Sequence, residues 1–262
     1  MHSHTLSKSS FRFTMPYGFK LETQVSRVLS RKITSYGLSD IGLSRPHNED
    51  AWNRDLAHHL YIVADGIGGR QAGEVASQFA TQRLCEIFTE KFNAACLPLA
   101  ESWVNVLSES IQVVNDELFK IAQQNEFLKG MGTTLCSLLL SDEHAILAHL
   151  GDSRIYRLRE DKLECLTQDH CHQSPLNPSR CLSKALGTKL GAEPTLSIYE
   201  IQPHDLFLLC SDGLSTFVME NQIESTLALA LPMKERGQQL IKLAKEAGGH
   251  DNITVLLVQI SP

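Results

Sequence analysis

His59-Leu60-Tyr61-Ile62-Val63-Ala64-Asp65-Gly66-Ile67-Gly68-Gly69 runs from an apolar stretch through one acid into a cluster of glycines. Its first six residues predict a strand closed by turn residues. Beyond the glycines, Ala72, Val75, Ala76, Phe79, Ala80, Leu84, Ile87 and Phe88 recur largely at helical spacing, so the strand turns sharply and opens a long helix. A dinucleotide-binding turn starting at Gly66 would need glycine where Gln71 stands, and no G-x-x-x-x-G-K-[ST] occurs in the chain. Taken alone, the glycines do no more than permit a tight turn.

Working outward, Trp103, Val106, Leu107, Ile111, Val114, Leu118 and Ile121 predict a second long helix over 99–127. Strand-like runs follow at 133–140, 145–150 and 154–159. Asp142-Glu143 and Gly151-Asp152 separate them at meander spacing, which predicts antiparallel neighbours in one sheet. Residues 167–194 carry Pro175, Pro178, Gly187, Gly191 and Pro194 with little periodicity and read as an irregular surface excursion. Strands are expected at 196–201, 206–210 and 253–260, with an opening strand at 35–43. Helical spacing returns at 223–231 and 240–247, and Gly248-Gly249 supplies a stop. With no internal repeat and no linker, 34–262 is expected to be one α+β domain, a sandwich of largely antiparallel sheets with helices. Residues 1–33 are expected to be an extension: a mobile or loosely docked arm, or a short amphipathic helix with Lys20, Arg27, Arg31 and Lys32 around Leu21, Val25, Val28 and Leu29. Met15 offers an alternative start.

Composition narrows the classes. Hydrophobic residues make up 42% and charged residues 21% of the 262, and no apolar stretch is long enough to span a bilayer. A net charge of −6 gives no electrostatic grip on nucleic acid. Seven cysteines, an odd number without Cys-x-x-Cys spacing, predict reduced thiols in a cytoplasmic protein. The early residues lack the apolar core of a secretory signal.

Carboxylates recur beside turns in Asn48-Glu49-Asp50, Asp65-Gly66, Ser211-Asp212-Gly213 and His250-Asp251-Asn252. Singly, each has a plain structural reading. Asp-Gly is a common turn pair, His250-Asp251-Asn252 can cap or link elements, and Arg45-Pro46-His47-Asn48-Glu49-Asp50 can be a solvated loop. Gly151-Asp152-Ser153-Arg154 reads as a hairpin turn with an ion pair. Should the fold bring the strand ends together, however, Glu49, Asp50, Asp65, Asp212 and Asp251 would cluster. Two carboxylates about 4 Å apart repel by roughly 4 kcal/mol at an effective dielectric near 20, so the cluster would require cations. Hard oxygen donors suit Mg²⁺ or Mn²⁺.

In order along the chain, Arg45-x-x-Asn48-Glu49-Asp50, Val63-Ala64-Asp65-Gly66-Ile67-Gly68-Gly69, Gly130-Met131-Gly132-Thr133-Thr134, Gly151-Asp152-Ser153-Arg154, Leu182-Ser183-Lys184-Ala185-Leu186-Gly187, Ser211-Asp212-Gly213-Leu214 and Asp251-Asn252-Ile253-Thr254 resemble the metal-dependent PP2C (PPM) protein phosphatases. The version with Asn48, and without histidine after Asp65-Gly66, is similar to the bacterial members. The resemblance implies two mainly antiparallel β-sheets flanked by helix pairs, with metals in a cleft at one end. By position, Asp65 would bridge two Mn²⁺ or Mg²⁺ ions. Glu49 and the Gly66 carbonyl would serve one, Asp212 and Asp251 the other, and Asp50 would act through water. Arg45 would hold the substrate phosphate, and Asp152 with Asp212 a third, weaker ion. The implied activity is hydrolysis of phosphoserine and phosphothreonine in proteins by a monomer opposing a bacterial Ser/Thr kinase, with the kinase and its substrates as partners and neither nucleic acid nor membrane among them. The catalytic set would be Arg45, Asp65, Asp212 and Asp251.

Two departures stand out. Ile67 occupies the place where eukaryotic relatives carry a candidate general-acid histidine; a metal-bound water is the alternative donor to the leaving oxygen that the resemblance leaves. The stretch between His170 and Ala185 is shorter than the flap of bacterial relatives, which implies a more open cleft. His170-Cys171-His172 is too contiguous for a tetrahedral zinc site and reads as surface loop. Asn252-Ile253-Thr254 matches a glycosylation sequon by chance. Two other functions stay open on sequence: a phosphoprotein-binding module with weak catalysis, and a two-metal nuclease or nucleotide hydrolase. The second lacks a basic, base-stacking channel.

Overall fold

The structure, a computed structural model, describes residues 31–68, 72–95, 100–174 and 177–261. The expectation for the arm therefore falls almost entirely outside the described residues. The first half of the chain runs β1 (Ile33–Asp40), β2 (Asp50–Asp55), β3 (Leu60–Ile67), α1 (Ala72–Ala95), α2 (Ala100–Gln124), β4 (Gly132–Thr133), β5 (Leu135–Leu140) and β6 (His144–Leu150). The second half runs β7 (Arg154–Arg159), β8 (Lys162–Cys165), β9 (Cys171–Ser174), β10 (Asn177–Leu182), β11 (Thr195–Glu200), β12 (Leu206–Cys210), α3 (Asp212–Ser215), α4 (Glu220–Leu227), α5 (Met233–Glu246) and β13 (Ile253–Ile260).

Period-two alternation explains the layering, because strand side chains point to opposite faces. On β3, Leu60 and Ile62 face a cluster with Ala76, Leu84, Phe88, Leu107 and Leu118 of α1 and α2. Their neighbours Tyr61 and Val63 face a second cluster between the sheets, with Cys136, Leu147, Phe207, Leu256 and Val258. Leu208, Val255 and Leu257 meet Ile223, Leu240 and Ala244 of α4 and α5 in a third. Three apolar clusters thus separate four layers, α-β-β-α. One sheet is ordered β11-β6-β5-β3-β2 and the other β1-β13-β12-β7-β8, with antiparallel pairing throughout both. The expected α+β sandwich is what forms.

The differences are local. The meander expected over 133–159 divides: β5 and β6 pair, whereas β7 joins the opposite sheet beside β12. Gly151-Asp152-Ser153 is accordingly a crossover between sheets, not a hairpin turn. Its Arg154 pairs with Asp169 at 2.9 Å. The charged loop expected around Asp50 is instead the start of edge strand β2. Part of the irregular excursion is a two-stranded hairpin of β9 and β10. The second helix ends at Gln124, with a single 3-10 turn, Glu126–Leu128, beyond it.

Candidate active site

Antiparallel alternation gathers the acids. β3, β6 and β12 end where β2, β7 and β13 begin, so residues 49–50, 65–66, 151–152, 211–212 and 251–252 share one end of the sandwich. Asp50 and Asp65 are direct cross-strand partners. Across the seam, Ser211 Oγ donates to Asp50 Oδ2 at 2.6 Å.

Polar side chains outside the acid set hold these turns. Asp65 is fixed through its backbone: Thr134 N donates to Asp65 O at 2.8 Å, Thr133 Oγ1 to the same oxygen at 2.8 Å, and Asp65 N to Thr134 Oγ1 at 2.9 Å. Gly66 permits a close approach, since a Cβ there would sit 2.1 Å from Gly73 O and 2.6 Å from Glu49 O. Asn252 clamps the 41–49 loop. Its Oδ1 accepts from Glu49 N at 2.8 Å, and its Nδ2 donates to Ile41 O and His47 O, both at 2.9 Å. The sequon asparagine is thus buried and fully engaged. Ser211 Oγ also accepts from Thr254 N at 3.0 Å, Ser77 Oγ donates to Glu49 O at 2.6 Å, and Ser39 Oγ links Asn48 and Thr254. Ser39 and Ser77 carry no signal in the sequence, and Ser211, though part of the Ser211-Asp212-Gly213 motif, gains its role only through Asp50 and Thr254.

Burial and mutual repulsion make the cluster hold protons in the absence of cations. Burial, opposed by hydrogen bonds from Ser211 and Thr254 and reinforced by Asp212 and Asp251, pushes Asp50 up to about 7. Burial, with Asp152 and Asp251 nearby, pushes Asp212 up to about 6. Asp65 lies well above the usual carboxylate range because of burial and then the charges of Asp50, Asp212, Asp251 and Asp152. Glu49 is raised mainly by burial, against the pull of Arg45. Desolvation favours the neutral acid, as does a nearby like charge.

A cationic partner answers both effects. Asp50 Oδ1 and Asp212 Oδ1 are buried and have no hydrogen-bond partner among the described groups, and buried polar atoms rarely go unsatisfied. Among the described residues, no three histidine, cysteine or acidic side chains close tightly on one point. A hard cation need not have such a cage: magnesium commonly takes one or two carboxylates and keeps several waters, and the Gly66 carbonyl adds a main-chain oxygen. The donor set fits hard divalent ions.

Arg45 stands at the mouth, half exposed, with Nη2 donating to Asp251 Oδ2 at 2.8 Å. Partial burial would ease its proton off, but the Asp251 carboxylate outweighs that, aided by Asp65 and Glu49. Asp152 is buried on the crossover, with Cys171 Sγ 3.6 Å from its Oδ2. His170 pins the crossover. Its N donates to Gly151 O at 2.7 Å, its Nδ1 accepts from Gly151 N at 3.2 Å, and its ring stacks on His149 at 4.6 Å. Burial, then the neighbouring His170, depresses His149 to about 4, so it is neutral at ordinary pH. All the acids singled out, with Arg45 and Gly66, therefore reach the same end of the fold.

Comparison with known proteins follows the same line. Residues 44–257 match the family described as Protein phosphatase 2C. The chain is 36% identical over 239 residues to the serine/threonine phosphatase stp of Listeria innocua, covering 84% of this chain and 93% of that protein. Among solved structures it is similar to serine/threonine phosphatase Stp1 from Staphylococcus aureus, with a TM-score of 0.80, 30% identity, and coverage of 92% of this chain and 100% of the other. It is also similar to the catalytic domain of a serine threonine protein phosphatase PstP in complex with 2 manganese ions, with a TM-score of 0.76, 33% identity, and coverage of 88% and 99%.

Proposed function

The chain belongs to the protein phosphatase 2C family, and from that premise we propose how its own residues hydrolyse phosphoserine and phosphothreonine in proteins. Asp65, Asp212 and Asp251, with Glu49 and the Gly66 carbonyl, would hold two divalent ions, Mn²⁺ or Mg²⁺. Asp152, with Asp212, offers a third place. The observation that carries this reading is the meeting of mutually repelling carboxylates from both sheets, two of whose buried oxygens lack partners. Bound there, the ions supply a nucleophile from solvent at neutral pH and neutralise phosphoryl oxygens.

The protein's part is placement. Arg45, tied to Asp251 by one of its donors, keeps others free for non-bridging phosphate oxygens, a task suited to its planar fork. Asp50, held by Ser211, would accept hydrogen bonds from water in the cleft and so help to orient the attacking water. Ile67 has no proton to give, and the leaving serine or threonine oxygen is protonated from solvent at the acidic cluster. We further propose that the protein works as a cytoplasmic monomer against a Ser/Thr kinase and its substrates, and that 1–33 form an extension to a single domain at 34–262. Among the described residues, no helix is long and apolar enough to cross a membrane.

Hydrolysis of p-nitrophenyl phosphate and of a phosphothreonine peptide should require Mn²⁺ or Mg²⁺ and stop with chelator. Asp65→Ala should lose both turnover and the cation-dependent rise in melting temperature. Near-normal activity in that variant would refute the assignment.

A further inference from the structure

The loop that carries Arg45 also presents apolar surface. Leu43 N donates to Gly249 O at 2.8 Å, and Gly42, at φ +79°, approaches so closely that a Cβ would lie 2.1 Å from Asp251 O. The Leu43 side chain rests on Gly249, where a Cβ would meet Leu43 Cγ at 2.8 Å. Residues 43 and 45 thus lie against residues 249 and 251, and between these His250 packs on Phe217 with ring centroids 5.3 Å apart. Despite this fixed backbone, Leu43 is 64% exposed and Ile41 41% exposed. A lone exposed leucine is ordinary. One whose backbone is clamped two residues from Arg45, beside the turn whose exposed His250 packs on the half-buried Phe217, offers apolar surface next to the proposed phosphate site.

We infer that Leu43, with the Phe217–His250 pair, forms a recognition shelf for an apolar side chain flanking the phosphorylated residue of a protein substrate. This rests on the phosphatase reading and adds a substrate class to it. In an extended peptide each residue advances about 3.3 Å, so with the phosphate at Arg45 a neighbour one or two positions away reaches Leu43.

The test uses the full chain with Mn²⁺ and phosphothreonine peptides of alanine and serine background. Leucine, phenylalanine, aspartate or lysine is placed singly at each of the positions around the phosphorylated residue. Leucine or phenylalanine on one side should raise kcat/KM about fivefold, less than the tenfold or more that a closed pocket can extract from an apolar group. Leu43→Ser should abolish that gain and Leu43→Met should keep it, while both hydrolyse p-nitrophenyl phosphate and the background peptide like the parent. The inference is overturned if no position favours an apolar residue, if lysine alone is favoured, or if the gain survives in Leu43→Ser. A chain that hydrolyses no phosphate ester with Mn²⁺ refutes the phosphatase reading instead, and this inference with it.

Discussion

Removing divalent cations should make the fold lose stability as pH rises from about 4 to about 7, where most carboxylate-rich proteins hold steady or gain. Asp50 ionises at about 7 in the folded chain, against an ordinary 3.8. Between those values the folded state keeps a proton that the unfolded state has released, so the unfolded state binds fewer protons and stability falls with pH. The stabilisation is complete below about 3.8 and gone above about 7. At about 1.4 kcal/mol per pH unit, that interval amounts to about 4 kcal/mol for Asp50 alone. Asp212, raised to about 6, acts in the same direction, but the two acids raise each other and their effects overlap. For a domain of this size, about 4 kcal/mol corresponds to roughly 8 to 16 °C in melting temperature.

Saturating Mg²⁺ competes with those protons, so the gap between loaded and chelated protein should widen across the same window. Circular dichroism melts in chelator and in Mg²⁺, at steps of pH, measure both curves. Asp50→Asn should flatten the chelated curve, because it removes the ionisation. A chelated melting temperature constant to within about 2 °C over the window, or an Mg²⁺ increment equal at both ends, would refute the reasoning, since either is small beside the shift expected from the conversion above.

Ser211→Ala leaves the Asp50 carboxyl and the Thr254 N–H without their buried partner. It should cost about 2 to 4 kcal/mol in urea unfolding, and a change below about 0.5 kcal/mol would mean that water replaces the hydroxyl. Asn252→Ala releases the Glu49 amide and two loop carbonyls. It should lower kcat/KM by about tenfold or more through misplacement of Glu49 and Arg45; stability loss with unchanged kcat/KM would show that the loop holds itself.

The strands whose two faces both meet apolar layers were legible from composition. β7, β12 and β13 fall where their apolar runs begin and end. Sheet membership was not legible: β7, with Arg154, Arg157 and Arg159, is more polar than β5 and β6, but polarity names no sheet, and the crossover at Gly151, φ +105°, is what sends β7 to the other one. β2 was hidden because Asp50-Ala51-Trp52-Asn53-Arg54-Asp55 carries an edge strand's polar face, with Trp52 alone packed against the layer between the sheets. The β9–β10 hairpin pairs with itself rather than with either sheet, so no long apolar pattern marks it. In the site, the acids were readable because such a charge cluster demands an explanation. The roles of Ser211 and Thr134 were not, although both stand in the quoted motifs, since small polar residues beside turns are common and their importance depends on partners distant in sequence.

What the acids do to the fold follows from where they sit. Asp50 and Asp65 belong to one sheet, Asp212 and Asp251 to the end of the other, and the interval between the sheets is otherwise filled by apolar side chains such as Tyr61, Phe207 and Leu256. That layer draws the sheets together along their length, while ionised carboxylates push them apart at one end. The Ser211–Asp50 bond crosses the seam at that end, but a single charge-assisted hydrogen bond, about 1.5 to 3 kcal/mol, is smaller than the roughly 4 kcal/mol repulsion of even one close carboxylate pair. The seam is therefore held at its acidic end either by protons or by cations. At neutral pH, where protons are leaving Asp50 and Asp212, cations held there would both close the sandwich and supply the charge that the proposed hydrolysis requires.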